Sequence, residues 1–257
     1  MLELDTSYTF SRMPYITYDA LDDYATAVVR DALPMCLTVP CAIDAEWFAE
    51  FYLGLQVEYR RLSRDRTILG MTAFNAGCVQ VYDERGLEQT IPVTAGTVII
   101  ESVLTSKRNA ARRRFTVAHE SAHYLIHRKA FAADNPLGVV GAFENRYLAA
   151  KTGRVDYSRS KKERTDVECM ERQADFLASA ILMPKPTLRM AYRDFFRCFG
   201  EKPRRIVRGV NPLDDCYARQ LTEYTANIFG VSKRAALIRL EKLGAIVGKP
   251  PRGNAYA

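Results

Sequence analysis

His119-Glu120-Ser121-Ala122-His123 constrains what this chain can fold into more than any other stretch of it. Residues four apart lie one above the other on a single face of an α-helix, so both imidazoles can grip one ion only if this segment is helical. A tetrahedral zinc site also needs a third protein ligand, which obliges a second element to face that helix. The glutamate beside the first histidine is then within reach of a water on the ion, whose pKa zinc lowers from about 15.7 to about 7. All three histidines of the chain stand at 119, 123 and 127, and such concentration in a His-poor sequence favours ligands over a chance pattern. No pair of cysteines offers a competing site, because Cys36, Cys41, Cys78, Cys169, Cys198 and Cys216 contain no CxxC spacing.

His127 continues the four-residue step, but a rise of about 1.5 Å per residue puts its Cα about 12 Å from that of His119. That is too far for a shared ion, and the reading for His127 is a ring that caps the helix C-terminus, where the dipole favours it. The third ligand is sought in the second helix suggested by the apolar spacing of Met170, Ala174, Leu177, Ala178 and Ile181, which Pro184 ends. On it, Glu171 and Asp175 are four apart and share a face. Glu171 is the candidate ligand. Asp175 is placed to accept the second ring N–H of a liganding histidine. Glu168, three residues before Glu171, competes for the ligand role.

Arg114-Phe115-Thr116-Val117-Ala118-His119-Glu120, followed by Glu171, Asp175-Phe176-Leu177-Ala178 and Leu182-Met183-Pro184, resembles the ImmA/IrrE family of gluzincin-like zinc metallopeptidases. The similarity runs over roughly residues 40 to 245, strong at the two helices and loose between them. Ser121-Ala122 stands where Leu-Gly is common in the family, and the connection from 128 to 165 is long. The resemblance implies His119, His123 and Glu171 as zinc ligands, Glu120 as the base, and cleavage of a helix-turn-helix repressor or similar regulator.

A chain of 257 residues can bury a full core, and no apolar run approaches the roughly 20 residues that span a membrane. The start, Met1-Leu2-Glu3-Leu4-Asp5, lacks the basic and apolar regions of a signal peptide. With six unpaired-looking cysteines, this points to a reducing cytoplasm. Charge is uneven: residues 1–100 hold 7 basic and 14 acidic residues, and residues 101–257 hold 30 basic and 16 acidic ones. That asymmetry suits an acidic protein partner, nucleic acid, or attraction between the two parts within one fold.

Along the chain, Tyr18 to Leu33 reads as a helix with Leu21, Tyr24, Ala25, Val28 and Val29 on one side, stopped by Pro34. A second helix is expected from Asp44 as N-cap through Leu53, with Trp47, Phe48 and Phe51 as core aromatics and Gly54 past its end. Strands are expected at 55–62, 67–74, 78–82 and 96–101, forming a small mixed sheet beside the active helix. Arg112-Arg113-Arg114 opposes a helix dipole, so the run should lie outside the helix or be paired. Residues 128 to 165 read as a loop near the site that can serve as a lid, with Tyr147 and Tyr157 as candidate oxyanion donors. Lys185, Arg189, Arg193 and Arg197 recur every four residues, a basic stripe on an amphipathic helix.

Residues 221–240 read as helix, turn at Gly230, N-cap at Ser232 and second helix, a helix-turn-helix pattern. Lys233, Arg234 and Arg239 would be its candidate nucleic-acid contacts, although packing on the core is the preferred reading. The expected architecture is α+β and zincin-like, with a small mixed sheet, an HExxH helix, a glutamate helix and a helical C-terminal region. Residues 1–213 form the metallopeptidase domain, with 1–39 as a helical extension. Residues 214–248 form the helix-turn-helix-like segment and 249–257 a disordered tail. The expected function is a cytoplasmic zinc endopeptidase acting on a protein substrate, with no membrane partner. The alternative is a non-proteolytic zinc protein that regulates by binding DNA or a transcription factor.

Overall fold

In a computed structural model the described residues are Leu4, 14–131, the backbone of 147–151, and 165–248. Helix α1 (Tyr18–Ala32) starts at Thr17, whose hydroxyl accepts the Ala20 N–H, and buries Leu21, Tyr24, Ala25, Val28 and Val29. Pro34 opens a single 3-10 turn that ends the run. Asp44 then caps α2 (Ala45–Tyr52), accepting the N–H groups of Glu46 and Trp47. Only its first three residues are regular α-helix; Phe48–Tyr52 is a π turn. Ala45, Phe48 and Ala49 form the buried face, whereas Trp47 and Phe51, four apart on another face, are 38% and 74% exposed and stacked on each other at 6.1 Å. The expectation that all three aromatics are core therefore fails for Trp47 and Phe51.

Strands β1 (Gln56–Arg60), β2 (Ile68–Ala73), β3 (Gly77–Tyr82), β4 (Glu88–Val93) and β5 (Thr97–Glu101) follow. A sixth, β6 (Tyr147–Lys151), lies inside the stretch expected to be a loop. The main sheet has the order β1-β5-β2-β6; β1 and β5 are parallel and the other pairs antiparallel. β3 and β4 form a separate hairpin. Pro92 sits in β4, where a strand with only one hydrogen-bonded neighbour tolerates it. Residues 128–131 form a 3-10 turn rather than loop. The remainder of the expected lid, Tyr157, the Tyr147 side chain and the expected disordered tail lie outside the described residues.

Helix α3 (Ala110–His127) crosses the sheet and packs on α4 (Asp166–Leu182). The three arginines are inside α3, not ahead of it. Two of them are partnered: Arg113 pairs with Glu46 at 3.2 Å, and Arg114 donates to the Gly230 carbonyl. Past α5 (Lys185–Cys198) come β7 (Ile206–Val207), α6 (Pro212–Phe229), α7 (Lys233–Lys242) and β8 (Ile246–Val247), with β7 and β8 parallel. Gly230 joins α6 to α7 in the left-handed region at φ 61°, where a Cβ would collide with Arg114. One hydrophobic cluster gathers residues of α1, α3, α4, α5, α6, α7 and β5. The architecture is thus α+β with small mixed sheets. Among the described residues no helix is long and apolar enough to cross a membrane.

The expected nucleic-acid role of Arg239 is corrected by its burial. The side chain is fully inaccessible, paired with Asp22 of α1, and donates through Nε to the Met183 carbonyl at 3.3 Å. Its guanidinium lies 5.3 Å over the Phe176 ring. Lys233 is exposed but paired with Glu223, and Arg234 is exposed. Removing one partner of such a buried pair strands the other charge. Asp22→Ala is expected to cost about 3–5 kcal/mol in denaturant unfolding, and Asp22→Leu combined with Arg239→Met much less.

Candidate metal centre

Two polar faces meet where α3 packs on α4. On α3, Thr116, His119, Glu120, Ser121, His123 and His127 are all buried, flanked by Val117, Ala118 and Ala122. On α4, Ala174 and Ala178 are fully buried and small, which leaves room for Glu171 and Asp175 to reach across. Thr165 starts α4 with a capping box: its hydroxyl accepts the Glu168 N–H, and the Glu168 carboxylate accepts the Thr165 N–H at 2.9 Å. Glu168, the rival ligand, is thereby committed to the helix end.

His119 Nε2 and His123 Nε2 are 3.0 Å apart. Glu171 completes the triangle, with Oε2 3.3 Å from His119 Nε2 and Oε1 3.4 Å from His123 Nε2. Ligand atoms about 2.0–2.2 Å from a tetrahedral ion stand about 3.3–3.6 Å apart, close to the edges of this triangle. The three residues form a buried group able to hold a metal ion. Two imidazoles and a carboxylate are a donor set for a borderline divalent cation.

Each histidine is tethered from behind. His119 Nδ1 is 3.0 Å from Asp175 Oδ1 and donates to it. His123 Nδ1 is 2.9 Å from His127 Nδ1, and His127 Nε2 is 3.0 Å from Gln173 Oε1. The expectation that His127 caps the helix C-terminus is therefore wrong. Its ring is fully buried against His123, and burial pushes its pKa well below the ordinary value, so it is neutral.

Glu120 points the other way, toward the sheet. The Thr72 hydroxyl of β2 donates to Glu120 Oε2 at 2.7 Å and also lies 3.1 Å from the Glu120 carbonyl. Gly70 makes the space: a Cβ there would stand 2.5 Å from Glu120 Oε1. That Oε1 is buried without a hydrogen-bond partner among the described residues. Burial raises the Glu120 pKa, partly offset by His119, His123 and Thr72.

Electrostatically, the pocket asks for a cation. Burial opposes charge on His119, but Asp175 and Glu171 outweigh it and push its pKa well above the usual value. Burial likewise opposes the Glu171 carboxylate, yet His123 and His119 hold it well below the usual range. A proton on His119 or a bound metal ion answers the same negative field.

The structure thus brings together His119, Glu120, His123, Glu171 and Asp175, and leaves Lys233, Arg234 and Arg239 in α7, on a different part of the fold. Thr72, Gly70, His127 and Gln173 also belong to the site and carried no such expectation. Gln173 had a signal, a polar residue three after Met170 in the apolar stripe. Thr72 and Gly70 had none, since strand spacing does not say which helix residue lies above. The sequence matches no family model, and no characterised protein matches it.

Two outcomes follow from this geometry. A ligating His119 must lose the proton that its raised pKa keeps at neutral pH. Metal binding at pH 7 is expected to release about one proton, and affinity should fall as pH is lowered, both readable by calorimetry in buffers of different ionisation enthalpy. Gly70→Ala is expected to retain metal binding, measured by equilibrium dialysis, while displacing the Glu120 carboxylate.

Proposed function

We propose that this chain is a zinc-dependent endopeptidase of zincin-like fold and ImmA/IrrE type. The observation that carries the reading is Glu120 Oε1, a buried carboxylate oxygen without a hydrogen-bond partner among the described residues, on the helix that supplies two members of a His–His–Glu triangle of metal-site dimensions. A zinc ion held by His119, His123 and Glu171 would supply a Lewis acid that acidifies water and polarises a peptide carbonyl. Asp175 holds the His119 ring so that Nε2 faces the site. Glu120 takes the proton of the attacking water on Oε1 and delivers it to the leaving amine nitrogen. Thr72 occupies Oε2 and leaves Oε1, which has no hydrogen-bond partner among the described residues, as the oxygen that takes the proton. The raised pKa of Glu120 suits that exchange, because it narrows the gap between the carboxylate and the groups it trades protons with.

β6 is the outer strand beside β2, the strand that carries Gly70 and Thr72. An extended substrate adds at its outer edge as a further strand in this reading, through main-chain hydrogen bonds. The substrate is a helix-turn-helix repressor or similar regulator in the cytoplasm. The resemblance at residues 114–120 and 171–184 supports it, and the net positive charge of residues 101–257 fits an acidic protein partner.

The rival reading, a zinc protein that regulates by binding DNA, draws on Lys233 and Arg234 at the start of α7. It is weakened by the burial of Arg239 and the pairing of Lys233. Duplex DNA binding that weakens steeply with salt would restore it.

Glu120→Gln is expected to keep its zinc and to lose at least about 100-fold in rate on a substrate identified by mass spectrometry of proteins it retains from lysate. Wild-type turnover by this variant would remove Glu120 from the mechanism. A full zinc equivalent on His123→Ala would remove the ligand assignment.

A further inference from the structure

We infer that the backbone carbonyl of Pro14, acting through Gln173 and His127, dictates which ring nitrogen of His123 carries the proton and so leaves His123 Nε2 free to ligate. The inference rests on the reading of His119, His123 and Glu171 as a metal centre, but the proton assignment itself comes from hydrogen-bond logic alone.

The chain of contacts has one end that cannot be reversed. Gln173 Nε2 donates to the Pro14 carbonyl oxygen at 2.8 Å. A carbonyl only accepts, and turning the amide over would set two oxygens against each other. Gln173 Oε1 must therefore face His127 Nε2, 3.0 Å away, and that nitrogen must carry a proton to donate. In a neutral imidazole the other nitrogen is then bare. His127 Nδ1 is thus an acceptor, and the His123 Nδ1 that lies 2.9 Å from it must be the donor. With its proton on Nδ1, neutral His123 presents a lone pair on Nε2, the atom that faces His119 Nε2 at 3.0 Å and Glu171 Oε1 at 3.4 Å. All three relay side chains are buried, so no bulk water competes for these bonds.

The two histidines are consequently oriented by different chemistry. His119 leans on the Asp175 carboxylate, whereas His123 leans on a neutral imidazole–amide pair. A carboxylate behind His123 would add a further like charge near Glu120, Glu171 and Asp175 and raise the cost of keeping all of them ionised. The neutral relay fixes the ring without adding charge. It also ties the segment before α1 to the metal centre across 159 positions of sequence. His127 and Gln173 are positioning residues: neither touches substrate or ion.

The test uses the full chain labelled with nitrogen-15 histidine and long-range nitrogen–proton correlation spectra of the metal-free protein, which report the protonated nitrogen of each ring. His123 is expected to carry a proton on Nδ1, and His127 on Nε2 alone. A bare Nδ1 on His123, or a proton on Nδ1 of His127, overturns the inference. Zinc competition against a chromophoric chelator supplies a second readout. His127→Leu should weaken zinc binding by about 10–100-fold, the usual cost of losing a partner behind a ligand. His127→Asn, whose Oδ1 replaces the accepting Nδ1, should recover most of that loss. Gln173→Leu, which frees the His127 tautomer, should fall between. Equal zinc affinity in wild type and all three variants overturns the relay, and if His127→Leu does not fold, the other two decide. Failure of the wild type to bind zinc, with the ring protons placed as stated, would instead overturn the metal reading and leave the proton assignment standing.

Discussion

The seam between α3 and α4 is the constraint on which the rest of the structure depends. It encloses three buried histidines and sets the partly buried Glu171 against two of them, and a buried polar group without a partner is costly. Each element around the seam answers part of that demand. α4 brings Glu171, Asp175 and Gln173. β2 brings the Thr72 hydroxyl and the empty space of Gly70. The segment ahead of α1 brings the Pro14 carbonyl. Among the described residues, Glu120 Oε1 and Ser121 Oγ on this helix have no such answer. A donor that reached Glu120 Oε1 would meet an acceptor already stripped of water.

Helix and sheet divide the work. The two candidate ligand histidines face α4, while the glutamate between them in sequence turns to the sheet, as a rotation of about 100° per residue requires. The prospective base is therefore held by different elements from the prospective ligands. A change in β2 can disturb Glu120 without touching His119 or His123, and a change in α4 can do the reverse. The dependence of α4 on its own start is local, through the Thr165–Glu168 capping box. Its dependence on the C-terminal helices runs through Arg239, which reaches the Met183 carbonyl at the end of α4 and the Asp22 carboxylate of α1.

That last contact explains how a helix-turn-helix pattern serves here. α6, Gly230 and α7 have the local geometry of the motif, with a left-handed glycine and Ser232 as N-cap. The cationic side chain at 239 is spent inward, though, and the Gly230 carbonyl is taken by Arg114 of α3. The segment clasps the helices of the site from outside. A turn sequence specifies the angle between two helices, and what the pair then touches depends on which residues point away from the core.

Much of this was legible in the sequence because it is set within one element. The period of 3.6 placed α1, α3 and α4, the i, i+4 spacing put His119 with His123 and Glu171 with Asp175, and Gly230 and Ser232 marked the turn. Other features depend on what lies opposite in space. β4 carries Pro92 and three exposed polar residues, so it has little strand character until β3 pairs with it, and β6 lies in a polar, glycine-containing stretch that only β2 makes a strand. Trp47 and Phe51, expected in the core, lie on the surface because Ala45, Phe48 and Ala49 form the face that packs inward. His127 looked like a helix cap, and Arg239 stood as a candidate nucleic-acid contact beside the preferred reading of core packing, since a charged or titratable side chain is normally solvated. Only the tertiary structure supplied Gln173 for the one and Asp22 for the other, because burial of a polar group is decided by the partner that the fold brings to it, and that partner is far away in sequence.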